Sequence, residues 1–238
     1  GHAIECRIYA EDPANNFMPS PGNMTFYKQS EGENIRVDSG IDKAGTIHSF
    51  FDPMISKQVV WSVDRESAIK NSIDALNNYI VHGIKTNIPY LQQMLMHQSF
   101  AKNNISTKLC DTHNDELLNN ATEQKLKING IPHLIAFAVH SLNMPVNKNN
   151  IWEQIGYWRT NSILNFKIED EERSLNFISK ENESYKFSEG ETIYEITLVA
   201  VNENFIKFSL ENRIIESFIS EDGNGISTVS ALGKDFSI

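Results

Sequence analysis

Cysteine is scarce in this 238-residue chain: there are two, Cys6 and Cys110, and neither belongs to a CxxC pair. That argues against a disulfide framework or a structural zinc site and fits a reducing compartment. Positive charge is also short. Lys and Arg total 21 against 31 Asp and Glu, for a formal net charge of -10, the opposite of what binding to nucleic-acid phosphates requires. No apolar run approaches the roughly 20 residues needed to cross a bilayer, and no signal peptide is visible. The expectation is therefore no nucleic acid and no membrane. The loops and motifs of several enzyme classes are missing too: there is no GxxxxGK[ST], GxGxxG, GxSxG or HExxH. What remains, 40% hydrophobic and 22% charged residues, is ordinary for a globular protein of one large or two small domains. The chain opens at Gly1 inside a strand pattern, as a piece of a longer chain would.

Residues 1–9 alternate, with His2, Ile4, Cys6 and Ile8 on one side and Ala3, Glu5, Arg7 and Tyr9 on the other; a period of two predicts a half-buried strand. Turn material follows at Asp12-Pro13 and Pro19-Ser20-Pro21-Gly22, then strands over 24–27, 35–38 and 55–61. Asp64 is a natural N-cap for a helix whose stripe is Ile69, Ile73, Leu76 and Ile80, with Gly83 as its C-terminal stop. A second helix starts near Pro89 and runs to about His97. Residues 111–129 are polar and Asn-rich, which reads as a linker or boundary. Residues 131–142 form a helix apolar nearly all round, which needs to be surrounded, with Pro145 as its stop. Strands then follow over 163–169, 174–179, 193–201, 205–210, 214–220 and 226–231, separated by close turns. The expected architecture is α+β: an antiparallel sheet with flanking helices over 1–112, then an antiparallel β-barrel around a central helix over 113–238.

Few residues announce chemistry. His133 and His140, seven apart, share a helix face; histidines packed or solvated on a helix are expected there rather than a metal pair, and His48 and His97 stand alone. The acidic run 169–172 reads as a solvated turn, because the alternating ligands of a calcium loop are absent. No metal ligand set is expected. Arg7 sits at mid-strand on the face of Glu5 and Tyr9. A guanidinium there can fork onto a carboxylate, phosphate or enolate-like oxygen, and patterning alone favours a structural ion pair.

The words around Arg7 add a resemblance. Gly1-His2-Ala3-Ile4-Glu5-Cys6-Arg7-Ile8-Tyr9-Ala10-Glu11-Asp12-Pro13 resembles the segment that opens the C-terminal lobe of biotin carboxylases. Phe17-Met18-Pro19-Ser20-Pro21-Gly22, Arg36-Val37-Asp38-Ser39, Phe51-Asp52-Pro53-Met54-Ile55-Ser56-Lys57 and Gly83-Ile84-Lys85-Thr86-Asn87 resemble four further words of that lobe, in order. The Tyr-Ala-Glu-Asp-Pro form followed by Asn15-Asn16-Phe17-Met18-Pro19 is most similar to the α subunits of methylcrotonyl-CoA carboxylases, enzymes of leucine degradation, with the propionyl-CoA and geranyl-CoA enzymes as near relatives. The second half, by position and pattern, is similar to the domain of these hetero-oligomers that docks the carboxyltransferase.

The resemblance implies a ligase in which ATP and bicarbonate give carboxyphosphate, whose phosphate deprotonates the ureido nitrogen of biotin. The Arg of Glu-Cys-Arg faces the developing ureido oxyanion, where fixed charge is a large catalytic term, so Arg7 inherits that role. Thr107 and Lys108 fall where the lobe nears the adenine, in a word that departs from the family's. The cofactors implied are biotin, on a carrier domain outside this sequence, and ATP with Mg2+, held mainly by a lobe also outside it; the piece is expected to be inactive alone. The partners implied are the biotin carrier domain and the carboxyltransferase (β) subunit. Trp152, Tyr157, Trp158 and Arg159, at the mouth of the second half, are candidate interface anchors, although the tryptophans suit a core as well. Two other readings stay open: a non-catalytic assembly module, and a lobe in which Arg7 is only structural. The compartment expected is the cytoplasm, or the mitochondrial matrix in a eukaryote.

Overall fold

The computed structural model describes residues 1–50, 52–144 and 163–238. The interface candidates Trp152, Tyr157, Trp158 and Arg159, and Pro145, lie outside these. Two compact units divide the chain, Gly1–Asn129 and Gly130–Ile238.

The first unit is built on a three-stranded antiparallel sheet. Its strands are β1 (His2–Tyr9), β6 (Ile35–Ser39) and β8 (Met54–Ser62), in the order β1-β8-β6. Short pairs decorate it: β2 (Glu11–Asp12) with β3 (Met18–Pro19), β4 (Gly22–Asn23) with β7 (Thr46–Ile47), and β5 (Phe26–Lys28) with β9 (Ile80–His82). The predicted alternation of β1 is what the strand shows. Ile4, Cys6 and Ile8 are buried, and Ala3, Glu5 and Arg7 are exposed. One face of the sheet packs on helix α1 (Arg65–Asn77), whose Ala68, Ala75 and Leu76 are buried. Asp64 caps that helix by accepting from the Ser67 amide at 2.7 Å.

The end of α1 differs from the expectation. The helix stops at Asn77, Ile80 already belongs to β9, and Gly83 lies beyond that strand. Ile80, Val81 and His82 are all buried, so burial continues through the change of structure and period alone does not mark it. Gly83 is needed for a different reason. Its φ is +92°, and a Cβ there would stand 2.3 Å from the Asn23 carbonyl oxygen, closer than any side chain is tolerated.

Helices α2 (Ile88–Met96) and α3 (Gln98–Ala101) follow, with Pro89 in the first turn of α2. The linker expected over 111–129 is instead helix α4 (Leu109–Lys127), and the division between units falls at its end rather than at 112. Only Leu109 and Leu117 of α4 are buried, so its apolar stripe is too thin to read. Asp111 in its first turn and Lys125 and Lys127 in its last complement the helix dipole.

In the second unit, helix α5 (Ile131–Asn143) buries eight residues, among them Leu134, Ile135 and Val139. It packs on one eight-stranded antiparallel sheet: β10 (Ile163–Ile168), β11 (Glu171–Glu181), β12 (Ser184–Glu189), β13 (Thr192–Asn202), β14 (Phe205–Leu210), β15 (Arg213–Glu221), β16 (Ser227–Ala231) and β17 (Lys234–Ser237). Each strand pairs with its neighbour in sequence. The sheet is barrel-like and nearly closed: the Glu169 amide, just after β10, donates to the Ser237 carbonyl of β17 at 2.8 Å. Two strands escape the sequence reading. β12 has a clean alternation, with Tyr185 and Phe187 buried, but is short; β17 has a single core residue, Phe236. The inner face of the sheet and α5 form one core.

His133 and His140 fasten α5 to this sheet. His133 Nε2 donates to the carbonyls of Ala231 and Lys234 (3.1 and 3.0 Å), and His140 Nε2 to those of Asn202 and Glu203 (3.0 and 2.9 Å). A carbonyl can only accept, so Nε2 carries the proton in both rings. The acidic run is a hairpin end, with Glu169 and Asp170 between paired Ile168 and Glu171.

Candidate functional site

Arg7 stands on the outward face of the three-stranded sheet. Register fixes its neighbours, because residues directly opposite in an antiparallel pair share a face. Arg7 lies opposite Lys57, and Lys57 opposite Asp38; one step along, Glu5 lies opposite Val59, and Val59 opposite Arg36. The outward face is therefore a carpet of three cations and two anions. Arg7 Nε donates to Glu5 Oε1 at 3.0 Å, and Arg36 donates to Asp38 at 2.6 Å. The hydrogen bond and charge of Glu5, with Tyr9 behind them, hold the Arg7 guanidinium above its already high pKa. The Arg7 side chain keeps 59% of its surface exposed, and an ion pair in that setting adds little to stability.

The backbone under Arg7 is clamped from its free edge. Asn87 Nδ2 donates to the Arg7 carbonyl at 3.1 Å, and Asn87 Oδ1 accepts from the Tyr9 amide at 2.9 Å. The Asn87 amide in turn donates to the Tyr9 carbonyl. Neighbouring words of the sequence meet at the same end. Lys85 pairs with Asp12 at 2.6 Å, the Lys85 amide donates to Ser20 Oγ, and the Ala10 amide donates to the Pro53 carbonyl at 2.8 Å. Burial, with the nearby Asp52 charge, raises the Glu11 carboxyl. Four hydroxyls support the far side of β8: Ser56 to Tyr79 and Tyr79 to Tyr27 at 2.7 Å each, and Tyr27 to Ser39 at 2.9 Å. Burial pushes the Tyr79 phenol well up, so it stays protonated.

Sequence reasoning names Arg7 and misses Lys57 and Asn87, although both lie in quoted words; the register of β1 with β8 is the signal that finds Lys57. Thr107 and Lys108 are exposed in the turn before α4, where Lys108 is the N-cap residue without a side-chain cap bond. His97, unassigned in sequence, is brought against His113 and Glu116. Among the described residues no helix is long and apolar enough to cross a membrane.

Residues 5–112 match the family described as "Biotin carboxylase C-terminal domain". Among similar proteins is one of the subunits of the pyruvate carboxylase of Methanothermobacter thermautotrophicus, 42% identical over 113 residues, covering 48% of this chain and 23% of the relative. The propionyl-CoA carboxylase alpha chain of Mus musculus is 44% identical over 118 residues, covering 48% and 16%. The alpha subunit of the methylcrotonoyl-CoA carboxylase of Arabidopsis thaliana is 30% identical over 167 residues, covering 68% and 22%, a match longer than the first unit. The chain spans about a quarter or less of the length of these relatives.

Proposed function

We propose, from the premise that residues 5–112 are a biotin carboxylase C-terminal domain, that this chain is part of the biotin carboxylase (α) subunit of an acyl-CoA carboxylase. It supplies one wall of the site where carrier-bound biotin is carboxylated with ATP, Mg2+ and bicarbonate. The observation that carries the reading is Arg7: an exposed guanidinium, charged at all working pH, on a backbone clamped by Asn87, with Lys57 opposite it. Fixed cations of this kind stabilise an oxyanion that develops on biotin, because they need no reorganisation as charge appears. Glu5 orients the guanidinium through Nε. Thr107 and Lys108 lie toward the adenine in this reading. Nucleotide and carrier are held mainly by segments outside residues 1–238, so the piece alone is inactive.

The finer reading is the α subunit of an enzyme that works with a carboxyltransferase on methylcrotonyl-CoA, with propionyl-CoA as the alternative. In it the second unit, residues 113–238 in the sequence-based division, docks that partner. Matches that run past the first unit, over 167 residues to a methylcrotonoyl-CoA carboxylase and 168 to a propionyl-CoA carboxylase, support a second unit of that α-subunit kind with either acyl-CoA. Aliphatic residues left outward on the sheet support docking: Ile193, Val199 and Ile214 are each more than half exposed. Trp152, Tyr157, Trp158 and Arg159 are the proposed anchors.

The test joins the chain to a nucleotide-binding lobe and measures ATP-dependent carboxylation of free biotin. Arg7→Ala should lose at least about a hundredfold in kcat, in the range seen when a fixed donor to an oxyanion is removed, with the melting transition unchanged. A wild-type rate defeats the role of Arg7. Native mass of the chain with a methylcrotonyl-CoA or propionyl-CoA carboxyltransferase reads docking separately.

A further inference from the structure

Outside the surroundings of Arg7, the α2–α3 junction meets α4. His97 closes α2 and caps α3, while His113 and Glu116 sit three apart on α4 and so face the same way. Glu116 Oε2 is 2.9 Å from His113 Nδ1 and 3.7 Å from His97 Nε2. The two imidazoles lie 4.4 Å apart between ring centres, and one ligand atom from each of the three residues falls within 4.8 Å of the others. They line a surface cavity of about 380 Å³, with Gln93, Met96 and Asn120 around them.

We infer that His97, His113 and Glu116 form a binding site for a divalent transition-metal ion of the zinc class. Two imidazoles and one carboxylate are a nitrogen–oxygen donor set suited to zinc, and three protein ligands beside an open cavity leave a fourth position for water or a small anion. Bonds of about 2.0–2.1 Å place tetrahedral ligands roughly 3.4 Å apart. Glu116 Oε2 and His113 Nδ1 must therefore open by about half an ångström from 2.9 Å, while the two imidazole nitrogens, within 4.8 Å of each other, close by up to about 1.4 Å, which the exposure of His113 and Glu116 allows. The Glu116 carboxylate already accepts from His113 Nδ1 at 2.9 Å, so these two donors converge before any ion arrives. His97 has one adjustment to make. Its Nδ1 accepts from the Ser99 amide at 3.3 Å, so the neutral ring carries its proton on Nε2. Metal at Nε2 moves that proton to Nδ1 and releases a long bond at the start of a four-residue helix. The ion then ties α4 to the α2–α3 junction. This inference does not depend on the carboxylase reading.

The experiment uses the whole 238-residue chain, stripped of metal, with Zn2+ titrated against a chromophoric chelator and Co2+ read by its visible absorption. We expect one tight Zn2+ per chain and a Co2+ spectrum of tetrahedral intensity. His113→Gln and Glu116→Gln, both at surface positions, should each weaken binding roughly tenfold or more while circular dichroism stays unchanged. His2→Ala, which removes the amino-terminal histidine, should leave affinity intact. Absence of stoichiometric binding, equal affinity in His113→Gln and Glu116→Gln to that of the unaltered chain, or loss in His2→Ala overturns the site.

Discussion

Asn87 holds the strand segment that carries Arg7 with both ends of its amide, Nδ2 donating to the Arg7 carbonyl and Oδ1 accepting from the Tyr9 amide. The two residues are eighty apart in sequence, so the free edge of β1 is completed by a side chain where a fourth strand would otherwise pair. Asn87 is itself buried, which keeps water from competing for those groups.

Asn87→Ala should destabilise the first unit by about 1–3 kcal/mol, the usual cost of two lost hydrogen bonds with backbone groups left unpaired. Asn87→Asp keeps the acceptor for Tyr9 but loses the donor to Arg7, and should fall between. Urea unfolding gives the ordering. Amide exchange at Tyr9 should speed up in the alanine variant and stay slow in the aspartate variant; equal exchange in both removes the clamp.

Gly83→Ala should be among the most damaging methyl additions in the chain. The φ of +92° is strained for any side chain, and the new Cβ meets the carbonyl oxygen of Asn23 rather than a side chain that could swing away. We expect a loss of roughly 2 kcal/mol or more. Gly223→Ala, with open space around its Cβ, should change the melting temperature little. Parallel thermal melts decide it.

His133→Leu and His140→Leu should each cost about 1–3 kcal/mol in the second unit, because each removal strands the two carbonyls its Nε2 serves. The double variant should be close to additive, since the two contacts lie at different turns of the sheet. A histidine-to-leucine change that stabilises would show that packing, not the hydrogen bonds, holds the helix.

The two cysteines should react very differently. Burial, with the neighbouring Glu5 charge, pushes the Cys6 thiol up to about 12, so roughly one in ten thousand is thiolate at pH 8. Cys110 is exposed. An aromatic disulfide reagent should label one thiol quickly at pH 8 and the second only in denaturant. Because the folded Cys6 binds its proton more tightly than an unfolded one, its contribution favours the folded state below the ordinary thiol range and is lost as pH rises from there toward 12. Two fast thiols in the native protein would contradict the burial.

Some of this was legible in the residues and some was not, for identifiable reasons. β1 reads directly because one face is wet and one dry, so every second residue reports it. The start of α1 reads from Asp64, whereas its end is hidden by Ile80, which keeps the helical spacing while belonging to the next strand. α4 offers two buried leucines in nineteen residues, which is too little periodicity to distinguish a helix lying on a polar bed from a linker. That miss hides the spacing of His113 and Glu116, which needs a helix to mean anything. Arg7 is found through the words around it. Lys57 and Asn87 come from strand register and edge closure, which a linear pattern does not contain.

The nearest-neighbour order of β10 to β17 also sets a schedule for synthesis. Every hairpin can close as soon as its second strand emerges, yet α5 leads the unit, and the carbonyls that receive His133 come 98 and 101 residues later. At about 5–20 residues per second, a ribosome exposes this all-round apolar helix for roughly five to twenty seconds before its last strands exist. The nascent chain therefore carries uncovered apolar surface during that window, and truncation after β15 would leave the same helix permanently short of its cover.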